Sequence, residues 1–247
     1  MHFERKCEMM EICIAISIIF VSACIHGIAG FGFSLFSAPL LCLIFPIKIV
    51  VPTMVVMSIF VNLFVFVRLK EKPDMKSILT ILIPGVLVTP IGAYALKMAD
   101  ERLLKAMVGI FVLVSAFALL FGFKIKLKNK NLSYVLTGVL SGLLNGSISV
   151  SGPPVILLLR NEDKDKMEFR TSLTSYFLIL KMITMMLFVF SGQLDWQIIK
   201  LILFLIPGLF IGVIIGVKIG NNINEAIFKK ATNILLIAMG AIFLMKI

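Results

Sequence analysis

The chain has 247 residues, 60% of them hydrophobic and only 15% charged, with a formal net charge of +11. Its mean hydropathy of +1.09 excludes a soluble domain, which is nearer half apolar, and points to a polytopic membrane protein. The basic residues cluster between apolar segments, where topology signals sit, which argues for orientation in a bilayer and against a nucleic-acid partner.

In chain order, Arg5-Lys6, an apolar run and Val21-Ser-Ala-Cys24 look like a lipoprotein signal. Cleavage there would remove half of the first apolar segment, so this end is read as mature protein. Cys7, Cys13, Cys24 and Cys42 are not spaced as a metal motif, and the last three read as small packing residues. At ~20 apolar residues per crossing, the spanning candidates are 11–45 (long and broken), 47–68, 75–97, 103–123, 133–159 (broken), 169–190, 197–220 and 225–246. The first break is "HGIAGFGFSLFSAP", residues 26–39, and the second is "NGSISVSGPP", residues 145–154. The loops Arg68–Pro73, Lys124–Lys130 and Arg160–Lys166 are short and basic.

The segments form two sets of four, each opening with a broken one. Sliding the chain by 114 places Gly32 on Gly146, Ser37 on Ser151 and Pro39 on Pro153; separately, the third members of the two sets match, Ile83-Pro-Gly facing Ile206-Pro-Gly. Matches in the same order argue for duplication. If each broken segment returns to its own side, the loops at 68–76, 124–130, 160–170 and 218–230 share one side and hold fifteen of the 24 Lys and Arg. The positive-inside rule favours that arrangement, with both termini outside and Trp196 at the outer interface. The expected fold is an all-α polytopic membrane protein with two inverted four-segment repeats, 1–123 and 133–247. Each opens with a broken, re-entrant helical hairpin, and a basic cytoplasmic connector, 124–132, joins them.

Non-helical backbone at membrane depth needs protein or water to satisfy it, and paired discontinuous helices are where many transporters build a substrate site. A helix restarting after a glycine-rich break offers free N–H groups and a positive dipole end, which suits an anion. Ser34, Ser37, Ser147, Ser149 and Ser151 add hydroxyls, and Pro39, Pro153 and Pro154 suit the first turn of the restarting helices. The competing reading is that the small residues allow tight helix packing. Two such stretches in matching repeats favour the site. Lys181 lies in the middle of 169–190 with no carboxylate at comparable depth in any segment. It is expected to pair with an anionic ligand, or else to be neutral or to snorkel. His26 is a candidate proton or substrate contact. Asn62 and Asn145 read as interhelical bonds, and Thr89 and Thr184 as bonding their own helices.

No phosphate-binding loop, His-Glu-x-x-His or Gly-x-Ser-x-Gly motif occurs, so neither a built-in ATPase nor a visible nucleophile–base pair is encoded. The stretches "GIAGFGFSLFSAPLL", "SGLLNGSISVSGPPVILLL", "FRTSLTSYFLIL", "GQLDW" and "IPGLFIGVIIG" resemble the sulfite exporter TauE/SafE family over residues 12–246. The resemblance implies a permease for sulfur-containing anions, built from a duplicated four-segment unit. It would place Gly30, Gly32, Ser37 and Pro39, and Gly146, Ser151, Gly152 and Pro153, along the transport path. The serines of the second motif and Lys181 depart from the family's usual pattern. The expected function is a secondary transporter of sulfite, thiosulfate or an organosulfonate in the cytoplasmic membrane. No enzymatic residues, metal or cofactor are expected, and homo-oligomers are compatible. A channel-like anion pore and an intramembrane enzyme or accessory subunit are the alternatives. Export could run down the membrane potential, at ~2.3 kcal/mol per charge per 100 mV, whereas uptake would need a coupled cation or proton.

Overall fold

The computed structural model describes residues 2–69, 71, 73–120, 130–160, 162 and 166–220. Among these residues the chain is helical and without strands. The helices are α1 (His2–Ala29), α2 (Phe33–Leu41), α3 (Ile47–Phe66), α4 (Met75–Met98), α5 (Glu101–Leu120), α6 (Lys130–Ile148), α7 (Gly152–Leu159), α8 (Lys166–Phe190) and α9 (Trp196–Gly220). The expected segment 225–246 and most of the basic connector lie outside the described residues. Among the described residues, five stretches are long and apolar enough to cross a membrane: Met9–Ala29, Ile47–Phe66, Met75–Met98, Met167–Phe190 and Trp196–Gly220.

Helix starts follow local chemistry. Asp74 accepts from the Ser77 N–H at 3.3 Å and Asp195 from the Ile198 N–H at 2.9 Å, each filling an orphan donor of the first turn. Pro46, in extended geometry, sets the start of α3. The outward faces are apolar: Ile83, Leu87, Ile91 and Tyr94 recur at helical spacing along α4 and are all exposed. Many polar side chains point inward instead, including Ser37, Ser58, Asn62, Asn145, Thr174 and Lys181. Exposed apolar stripes around a polar interior are what a bilayer solvent selects. Trp196 is exposed at the start of α9, with the Lys200 ammonium 5.7 Å from its ring.

Two helix pairs pack backbone to backbone. Along α6, Gly138 faces Ile81, Gly142 faces Gly85 and Gly146 faces Thr89 of α4. Along α9, Gly208 faces Ile16, Gly212 faces Phe20 and Gly216 faces Cys24 of α1. Residue numbers climb together in both pairs, so both are parallel. A Cβ at Gly142 would run into the Gly85 carbonyl, and one at Gly216 into that of Cys24. Only glycine permits this approach, and close backbones are how helices gain dispersion energy in lipid. Between the pairs, α3 packs on α8; α3 also touches α9, and α8 touches α4.

Ala29 and Ile148, which end α1 and α6, stand 119 positions apart (148 − 29), as do Ile47 and Lys166, which begin α3 and α8 (166 − 47). These element boundaries thus recur at an offset of 119, whereas the matching letters recur at 114. At 119, Gly30 corresponds to Ser149, Gly27 to Gly146, His26 to Asn145 and Asn62 to Lys181.

Candidate functional site

Both expected breaks exist, and different residues make them. At the first, Gly30 (φ 80) and Gly32 (φ 101) take left-handed backbone that glycine tolerates. The Gly30 N–H closes on the His26 carbonyl at 2.7 Å, and α2 restarts at Phe33. At the second, Ser149 (φ 59) is the only non-glycine with positive φ among the described residues. Its N–H bonds the Asn145 carbonyl at 3.1 Å, and α7 starts at Gly152 with prolines in its first turn, as expected. Pro39 departs from expectation: it lies well inside α2, because the helix restarts directly after Gly32 and leaves Pro39 two turns on.

α8 serves both breaks with a cation. At the second, the Lys181 ammonium donates to the Ser149 carbonyl at 2.8 Å and to the Ser149 hydroxyl at 2.7 Å. Lys181 is 2% exposed, so these bonds replace its lost hydration. The lysine expected to face only a ligand thus has a protein partner, and one of its three donors is left over. Near it, the Asn145 amide donates to the Thr184 hydroxyl at 2.6 Å, and Thr184 bonds back to Leu180. Tyr176 donates to the Ser141 hydroxyl at 2.8 Å, and Ser141 donates to the Ser151 carbonyl at 2.9 Å.

At the first break the cation is Arg170. Its Nη2 donates to the Gly27 carbonyl at 3.1 Å, and a Cβ on Gly30 would meet its Cγ and Nε at 3.2–3.3 Å. His26, 2% exposed, lies within electrostatic reach of Arg170 and beside Asn62, yet neither ring nitrogen completes a hydrogen bond. Sequence reasoning counted Arg170 as a loop charge. In the structure it sits one turn into α8 and is 6% exposed. The signal was present in "RTSLTS", an arginine followed by four hydroxyls within an apolar helix.

The other expected site residues divide by their surroundings. The Ser34 and Ser58 hydroxyls share a bond at 2.9 Å, and Ser37 donates to the Phe33 carbonyl at 2.7 Å and lies 2.9 Å from the Met54 sulfur. Ser147 bonds the Leu143 carbonyl at 2.8 Å. Gly146 lies before the break with its bare Cα against the Thr89 carbonyl, a packing contact. Gly152 and Pro153 open α7, with Phe177 of α8 close to Gly152. Asn62 donates to its own helix at the Ser58 carbonyl, and Thr89 bonds both the Gly85 and the Gly142 carbonyls.

Two helix interruptions, each met by a buried cation of the same unbroken helix, are the arrangement in which discontinuous-helix membrane transporters build their sites. The chain belongs to the sulfite exporter TauE/SafE family, which it matches over residues 14–243, nearly its whole length. No curated protein and no solved structure matches it.

Proposed function

We propose that this chain is a secondary transporter that moves a small sulfur-containing anion, such as sulfite, thiosulfate or an organosulfonate, across the cytoplasmic membrane by alternating access at its two helix breaks. The observation that carries the reading is the pairing of each break with a buried cation of α8, Arg170 at Gly27 and Lys181 at Ser149. No carboxylate is among the buried charged side chains described. Buried positive charge with no buried carboxylate among the described residues favours an anion as its partner.

Contact registers support inverted repeats, 1–123 and 133–247. Up to the second break, contacts climb α8: Ser141 meets Tyr176 and Asn145 meets Thr184. Beyond it they descend: Ser149 meets Lys181 and Gly152 faces Phe177. At the first break, Ser34 meets Ser58 and Ser37 meets Met54, so α2 runs against α3. Each broken segment then returns to the side it entered from. With α4 parallel to α6, and short turns between α3 and α4 and between α8 and α9, the basic loops fall on one side, taken as cytoplasmic, with both termini outside. Exchange of the halves also carries the α1–α9 pair onto α6–α4 and keeps α3 on α8.

Counterflow in proteoliposomes tests the mechanism. Internal unlabelled sulfite should accelerate uptake of labelled sulfite, and the rate should saturate. Flux that is linear in concentration and indifferent to the opposite side would replace the carrier with a pore.

A further inference from the structure

We propose that Arg170, Thr171, Thr174 and Ser175 of α8, with His26 of α1, form an oxyanion-binding site at the first helix break. The inference rests on reading the chain as an anion transporter and locates the anion's seat. Ser37, Thr53, Thr89, Ser147 and Thr184 show the usual pattern for apolar helices, each donating to the carbonyl four residues back at 2.7–2.8 Å, whereas outside α8 the one described buried hydroxyl left without a partner is that of Tyr134. Thr171, Thr174 and Ser175 are no more than 3% exposed, and among the described residues none of their hydroxyls has a partner. The Arg170 Nε, on the same helix, is also buried and unpartnered among the described residues, while Nη2 is anchored on the Gly27 carbonyl. The buried His26 ring has the Asn62 side chain beside it, but neither nitrogen completes a well-aligned hydrogen bond among the described residues.

At 3.6 residues per turn, Arg170, Thr171, Thr174 and Ser175 fall within less than half of the helix circumference. Ser172, also unpartnered, lies off that face. Unmade hydrogen bonds are rare in buried positions, and a run of them along one face marks a surface that a ligand completes. The donors suit an anion: one guanidinium N–H, three rotatable hydroxyls and an imidazole. Their number fits several oxygens on one centre, as in sulfite or a sulfonate, better than the two oxygens of a carboxylate.

The test uses the full chain in lipid nanodiscs, with sulfite and acetate titrated calorimetrically into the wild type and a Thr171→Val, Thr174→Val double variant. Valine keeps the shape and removes only hydroxyls that bond nothing in the protein. The double variant should melt no lower than the wild type, while its dissociation constant for sulfite rises about tenfold or more. Should it not fold, Ser175→Ala carries the same test. A folded variant with wild-type affinity overturns the site and leaves the transporter reading standing. A wild type that binds acetate as tightly as sulfite overturns the assignment to a three-oxygen anion. A wild type that binds no anion overturns both the site and the transporter reading.

Discussion

Replacing Ser149 by glycine should change sign with the residue at 181. In the wild type, Ser149→Gly deletes the hydroxyl that accepts from Lys181 at 2.7 Å. A hydrogen bond to a charged group contributes ~1.5–3 kcal/mol. The same substitution relieves the left-handed backbone at φ 59, a strain of about 1 kcal/mol for a non-glycine residue. The net is a loss of roughly 0.5–2 kcal/mol. In a Lys181→Met background the hydroxyl bond is already absent, so only strain relief remains and Ser149→Gly stabilises by about 1 kcal/mol. The double-mutant cycle should therefore return a coupling of ~1.5–3 kcal/mol. Thermal unfolding of the four proteins in one detergent reads this out, at about 2–4 °C per kcal/mol for a chain of this size. Equal shifts of the same sign in both backgrounds would refute the claim that Lys181 holds the second break.

Three further outcomes are expected. Gly142→Ala should destabilise by about 3 kcal/mol, because its methyl meets the Gly85 backbone; Gly192→Ala, at φ 67 in open space, should cost only about 1 kcal/mol, and equal melting temperatures would remove the tight-pair argument. With Cys7, Cys13, Cys24 and Cys42 replaced, Glu71→Cys should react with impermeant maleimide only in inside-out vesicles and Gln193→Cys only in intact cells; the reverse pattern would invert the topology. At the start of α5, the Lys105 ammonium, bonded at 2.9 Å, holds the Glu101 carboxyl below its usual range, helped by the Ile47 N–H. Because the folded value is depressed, this stabilisation is present above the ordinary glutamate pKa of about 4.3 and fades as pH falls through the folded value. Glu101→Gln should thus lower the melting temperature slightly at pH 7 and not at pH 3, and an equal effect at both would assign the loss to packing.

Much of the fold was legible because apolar length and basic loops are written directly in the sequence. Segments 47–68, 75–97, 169–190 and 197–220 lie within a few residues of α3, α4, α8 and α9. Both breaks were legible from their glycines and prolines, but the register between the halves was not. Matching letters paired Gly32 with Gly146, which packs against α4, while the positive-φ residues of the two breaks are Gly30 and Gly32 in the first and Ser149 in the second. A serine in left-handed geometry carries no mark in the sequence, since what holds it there is a lysine 32 residues away. Arg170 was hidden for a related reason. One turn of extra helix at the start of α8 turns a loop charge into a buried one.

The glycine contacts have a mechanical consequence. Where two backbones touch with no side chains between them, there is nothing compressible to absorb sliding, so such a pair translates and tilts as one body. Here each interrupted helix is fused in this way to an uninterrupted helix of the opposite half, α1 to α9 and α6 to α4. Under the alternating access proposed above, rocking that opens one face would carry the two members of each pair together, with the interface between α3 and α8 as the surface across which the two bodies turn.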